Sequence, residues 1–187
     1  MLFRSVATTR PELAQAVDDL RVMRRGHGSL YDIAVPGYKA NLSDVLASIA
    51  LCQLDKVEHH RALRMRQVEL YDAAVAELDG IEPVARDPRD THAHHLYPVR
   101  VGQEAGGTRD AYRTALAEEN IGTSVHFLSV HELTAYRERF PDQPPLPVAE
   151  RAGAELLSLP LSPAHSEADI EDAIEALRRV HASFTAG

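Results

Sequence analysis

Gly37-Tyr38-Lys39-Ala40-Asn41-Leu42-Ser43-Asp44, with Val45-Leu46-Ala47-Ser48-Ile49-Ala50-Leu51-Cys52-Gln53-Leu54 directly behind it, decides how the rest of the chain is read. Leu42, Val45, Leu46, Ile49 and Ala50 recur at helical spacing, and Ala47, Leu51, Cys52 and Leu54 fill most of the remaining positions. An amphipathic surface helix keeps one wide polar face, so a helix that is apolar on nearly every side is expected to be buried. Asn41, followed three residues later by Asp44, reads as a reciprocal cap that sets where the helix begins. The spacing thus predicts a short polar loop, carrying Lys39 and Asn41, held at the positive end of a buried helix. Such a place suits an anion such as a phosphate. The same residues also suit a capped core helix with no ligand.

Toward the N-terminus, Ser5-Val6-Ala7-Thr8-Thr9 reads as a short strand with no hairpin partner before it. Thr9-Arg10-Pro11-Glu12 then opens a helix, with Thr9 as cap, Glu12 reaching back to it and Pro11 in the first turn. Leu13, Val17, Leu20 and Met23 give that helix its apolar stripe. A lone strand running straight into a helix implies missing sheet neighbours, so the sequence is expected to begin inside a larger protein. Gly26-His27-Gly28-Ser29 is a break, and Tyr31 to Pro36 leads into the loop.

Toward the C-terminus a second long helix has Val68, Tyr71, Val75 and Leu78 on its buried side and is stopped by Gly80. His59, His60, Arg61, Arg64 and Arg66 in its opening turns form either an anion-binding cluster or a solvated or interface-facing basic surface. From Ile81 the pattern changes to short extended pieces. Ile81 to Ala85 and His95 to Val101 read as strands, and Pro98 suggests an edge or a bulge. Thr108 caps a helix with Tyr112, Ala115 and Leu116 inward, ended by Asn120 near Gly122. Thr123 to Phe127 is a further strand. Pro141, Pro144, Pro145 and Pro147 make a rigid loop. A helix from about Val148 to Leu157 precedes the edge strand Ser158-Leu159-Pro160-Leu161. Ser166 and Asp169 cap a last helix striped by Ile170, Ile174, Leu177 and Val180. Helices first, then strands interleaved with helices, predict a small sheet covered by helices, in the α/β or α+β class.

With 187 residues the chain allows one domain, or one small domain with an added arm. No segment approaches the roughly 18 to 20 apolar residues of a membrane span, and a formal charge of -8 leaves no basic surplus for nucleic acid. The single cysteine, Cys52, cannot form an internal disulfide. With no signal-peptide core in Met1 to Arg10, it points to a reducing cytoplasm. Of His92, His94 and His95, only His92 and His94 share a face of an extended segment, and no Cys or Glu is spaced to complete a metal set. No metal is therefore expected. Ser124, His126 and His131 lie at or beyond the end of the 123–127 strand, where ligand contacts often gather. Satisfied structural polar residues would look the same.

Taken together and in order, several segments resemble the C-terminal half of the DegT/StrS-type sugar aminotransferases, pyridoxal 5'-phosphate (PLP) enzymes of fold type I. They are Val6 to Thr9 with its helix, Pro36 to Asp44 with Ala50 to Leu54, His95 to Val101, Ile121 to Phe127, Tyr136 to Pro141 and Leu157 to Leu161. The 37–44 segment and Arg137-Glu138-Arg139-Phe140-Pro141 are most similar to the enzymes that aminate a 4-keto UDP-pentose for lipid A modification, a step in lipopolysaccharide biosynthesis. The resemblance implies the small domain of fold type I: long helices, then a small, mainly antiparallel sheet covered by helices. It implies a large-domain remnant over 1–36, interdomain and dimer helices over 37–80, and a small domain over 81–187. It also implies a homodimer that moves an amino group from glutamate to a keto nucleotide-sugar. Lys39 and Asn41 would reach the PLP phosphate of the neighbouring subunit, with Tyr38, Ser124, His126 and His131 beside the substrate. Many members carry Asn where this chain has Lys39 and a basic residue where it has Asn41. Family members hold PLP covalently through a lysine upstream of every matched segment, and neither Lys39 nor Lys56 matches it. The chain is therefore expected to be inactive alone and to lack any catalytic residue. The alternative is a non-catalytic helical interaction or dimerisation module derived from such an enzyme.

Overall fold

A computed structural model describes residues 6–22, 24–25 and 33–186. The chain divides into two units, Met1–Val57 and Glu58–Gly187.

In the first unit, helix α1 (Pro11–Val22) starts on a proline, whose missing N–H costs nothing in a first turn. The Arg10 carbonyl accepts from the N–H groups of Leu13 and Ala14, each at 3.1 Å. The cap is therefore one residue beyond Thr9. Glu12 turns to Nε of Arg10 (2.6 Å) instead of reaching back. Residues 6–9 form no strand, and Ser5, Met23 and the break at 26–29 lie outside the described residues. Strands β1 (Arg24–Arg25) and β2 (Ile33–Val35) pair antiparallel.

Helix α2 (Asp44–Leu54) begins where its pattern predicts, but its cap is Ser43, whose Oγ accepts from the Leu46 N–H at 3.4 Å. Asn41 stands too early, because Asp44 is already the first helical residue. The expected burial is also corrected. No residue of α2 is buried, and Val45, Leu51 and Leu54 are 71%, 64% and 66% exposed. Cys52 is exposed as well. Apolar composition states that a helix wants cover; here the cover is partial at most, with Ala47 and Ala50 half-buried.

The second unit holds the core. Helix α3 (Val57–Val75) buries Val68, Tyr71, Ala74 and Val75, with Leu78 half-buried beyond its end. The turn that follows needs glycine at 80. Its φ is +76°, and a Cβ there would stand 2.2 Å from the Ala105 nitrogen. Strands β3 (Ile81–Pro83), β4 (Tyr97–Val101) and β5 (Leu156–Leu159) form an antiparallel sheet in that order. Pro98 is therefore in the central strand, not at an edge. Beyond the last β3 pair, Pro83 with Val99, the Val84 N–H still donates to the Pro98 carbonyl at 3.3 Å. The reciprocal bond, which proline cannot make, falls where β3 has already ended.

Helix α4 (Arg109–Glu118) is capped by Thr108, whose Oγ1 accepts from the Ala111 N–H at 3.2 Å. It closes at Asn120, with φ of 62°. Short α5 (Thr134–Arg139), which the sequence pattern did not suggest, is followed by α6 (Pro147–Glu155), and α6 runs directly into β5. Helix α7 (Glu167–Thr185) starts with the complete Ser166/Asp169 capping box and buries Ile170, Ile174, Leu177 and Val180. Tyr71, Val99, Tyr112, Leu116, Leu157, Ile170 and Leu177 are the fully buried centre. The predicted strand 123–127 reduces to one bridge, in which Ser124 and Ser158 exchange both backbone bonds at 3.1 and 2.8 Å. Toward Phe127 the next reciprocal pair would join His126 to Leu156, but the Leu156 N–H donates to the Ala152 carbonyl at the end of α6. This is an α/β small domain with helices around a three-stranded antiparallel sheet.

Candidate functional site

The first group of site residues sits on one loop. The N–H groups of Tyr38 and Ala40 donate to the carbonyls of Leu20 and Arg21 at 2.6 and 2.8 Å, tying the loop to the end of α1. Gly37 is required by this approach, since a Cβ there would lie 2.5 Å from the Leu20 carbonyl oxygen. Tyr38, Lys39 and Asn41 are exposed, Tyr38 by 73%. Among the described residues the side chains of Lys39 and Asn41 have no hydrogen-bond or ion-pair partner. A free ammonium and a free amide precede the N-terminus of an 11-residue helix, where backbone N–H groups favour negative charge.

The second group lies along the edge of β5. The Ser124–Ser158 bridge fixes the start of the segment, and two residues on His126 Nδ1 is 3.0 Å from the Ser158 Oγ. Ser158 is buried and Ser124 exposed, while His126 is half-buried with its ring edge-on to Phe127. His131 stands apart from that pair. Its Nε2 is 3.3 Å from Glu150 Oε1 of α6, and that oxygen also accepts from the Leu146 N–H at 2.7 Å. His131 lines a depression of about 440 Å³ together with Arg137, Phe140, Pro144 and Glu150. The partners Ser158 and Glu150 escaped sequence reading. The short apolar run around Ser158 was visible, but no local spacing joins it to His126.

The other candidates disperse. Arg61 pairs with Glu58 (3.0 Å), Arg64 Nε donates to the Ala93 carbonyl (3.1 Å), and Arg66 pairs with Glu167 (2.7 Å). The basic residues at the start of α3 thus go to separate partners instead of converging. His92 and His94 have ring centroids 4.6 Å apart. Among the described residues no three His, Cys, Asp or Glu side chains gather as a metal set.

A loop that leaves Lys39 and Asn41 exposed ahead of α2 and a strand edge bearing Ser124 and His126, on a domain of this architecture, accompany a match over residues 5–178 to the DegT/DnrJ/EryC1/StrS aminotransferase family, and the chain belongs to that family. Its aminotransferases are PLP-dependent. Among solved structures the chain is similar to the aminotransferase TlmJ from Streptoalloteichus hindustanus, at 29% identity and a TM-score of 0.81, covering 95% of this chain and 47% of that one. It is similar to Spr1654 from Streptococcus pneumoniae in its PLP form, at 28% identity and 0.81, covering 92% and 44%. The sugar aminotransferase CalS13 from Micromonospora echinospora shares the fold, at 22% identity and 0.79, covering 91% and 45%. The chain spans a little under half the length of each. Among the described residues no helix is long and apolar enough to cross a membrane.

Proposed function

We infer that this chain is the C-terminal part of a PLP-dependent aminotransferase that passes an amino group from glutamate to a keto nucleotide-sugar. The family match across residues 5–178 carries the reading. In it, residues 1–36 belong with the large PLP domain, 37–80 supply interdomain and dimer helices, and 81–187 form the small domain. The exposed Lys39 and Asn41, without partners among the described residues, fit the phosphate of a cofactor presented by a second subunit of a homodimer. Tyr38 on its loop and, separately, Ser124, His126 and His131 of the small domain are the candidate substrate contacts, through hydroxyl and imidazole groups that orient a polyhydroxylated sugar. PLP, where bound, supplies the electron sink for the transfer. The 4-keto UDP-pentose suggested by the sequence resemblance is the first substrate to try.

The two lysines of the chain, Lys39 and Lys56, are not the one that binds PLP covalently, so the chain does not transaminate alone. Incubating it with PLP and then borohydride leaves no stable pyridoxyl adduct at Lys39 or Lys56 by peptide mass spectrometry; a stoichiometric adduct accompanied by turnover overturns this reading. With a polypeptide carrying the large domain added, Lys39→Ala raises the PLP needed for half-maximal amination about tenfold, the cost of one charged hydrogen bond. The exposed apolar face of α2 also favours a second reading, a dimerisation module without catalysis. Under that reading, adding the large domain restores no amination.

A further inference from the structure

Thr91-His92-Ala93-His94-His95 is a histidine-rich run that the proposed site does not use. Its segment joins β3 to β4, and His92, His94 and His95, with Val84, Leu96 and Tyr97 among others, wall a cavity of about 270 Å³. The His94 backbone N–H donates to His92 Nδ1 at 2.9 Å, the closure that an Asx turn makes with a carbonyl oxygen. One residue earlier in the backbone, the Ala93 carbonyl accepts from Arg64 Nε of α3. His94 has φ of 47°, a left-handed conformation that a non-glycine residue keeps only where its surroundings impose it. A neutral imidazole can accept at Nδ1; an imidazolium carries hydrogen on both nitrogens and cannot.

We propose that His92 is an acid-released latch: while its ring is neutral the 86–96 segment stays closed along the cavity, and protonation unfastens it. The charges around the latch reinforce this direction. From α3 come Arg64 and Asp72; on the segment stand Arg86, Asp87, Arg89, Asp90, His94 and His95. Asp72 is already engaged, with both oxygens 2.6 Å from Arg86 and one accepting from the Tyr97 hydroxyl at 2.7 Å. Asp87 is engaged by Arg89. Burial first, then His92 and Arg86, with a smaller contribution from Arg64, hold the His94 pKa below the ordinary histidine value, while Asp72 acts the other way. A depressed histidine favours the closed, neutral form. Its stabilisation is complete above about pH 6.5 and is lost as pH falls below that value.

Hydrogen–deuterium exchange on the full chain at pH 7.5 and 5.5, with times scaled for intrinsic rates, reads the latch directly. Between the two pH values protection over 86–96 falls severalfold, as expected from the loss of one hydrogen bond, while β4 keeps its protection. His92→Asn places a non-titrating oxygen where Nδ1 stood, and the fall becomes much smaller. His92→Ala leaves the segment open at both pH values, with β4 protection reporting an intact sheet. Equal wild-type protection at the two pH values, an equal fall in His92→Asn, or wild-type protection in His92→Ala each overturns the latch.

Discussion

Tyr112 shows what one buried polar atom contributes in this chain. Its hydroxyl donates to the Ala105 carbonyl at 2.8 Å and stands 2.8 Å from His181 Nδ1, whose N–H can then donate to it. Tyr112→Phe strands both partners in a dry interior, and the expected loss is about 1–3 kcal/mol in urea unfolding. Burial pushes the Tyr112 phenol up to about 12 and raises those of Tyr71 and Tyr97 as well. An acid with a raised folded pKa contributes stability that is whole below its unfolded value near 10. That stability is lost as pH climbs from there through the folded value. Urea midpoints should therefore drop between about pH 10 and 12, and drop less in Tyr112→Phe. Single residues were legible where a local rule had one solution, as with Ser166 and Asp169, or Thr108 before its helix. In Asn41-Leu42-Ser43-Asp44 three good capping residues compete within four positions, and sequence alone selected Asn41. The partners of His126 and His131 lie 32 and 19 residues away, beyond any local pattern.

Among the elements, α2 departs most from its reading. Periodicity located the helix correctly, because apolar spacing reports a helix whatever covers it. Burial is a property of the covering surface, which the helix's own residues do not encode. Exposed apolar side chains on successive turns favour self-association. Val45→Glu with Leu51→Glu should weaken it at least tenfold in sedimentation velocity, since a fully buried leucine is worth roughly 1.5–3 kcal/mol. An unchanged sedimentation profile would exclude α2 as the contact. The long amphipathic α7 and the alternating β4 were readable because each carries a complete period. The 123–127 segment also alternates, yet pairing depends on a neighbour that begins only at Leu156, whose N–H is held by α6.

At the scale of the whole chain, every buried hydrophobic residue among those described lies between Val68 and Val180. Exchange protection should accordingly concentrate in the second half of α3, in β4 and in α7. Residues 6–22 and 33–57 should exchange at least about tenfold faster, as expected of segments with few buried contacts. Comparable protection over residues 44–54 would mean that something covers α2. The helices-around-a-sheet architecture was readable from element order; how far the chain depends on surfaces outside itself was not. Cys52 turns that dependence into a measurable rate. The only thiol of the chain sits in the open on α2, so a maleimide should label it at the speed of a small-molecule thiol while the helix is bare. Slowed labelling would give a direct titration of whatever docks there, with no engineered reporter.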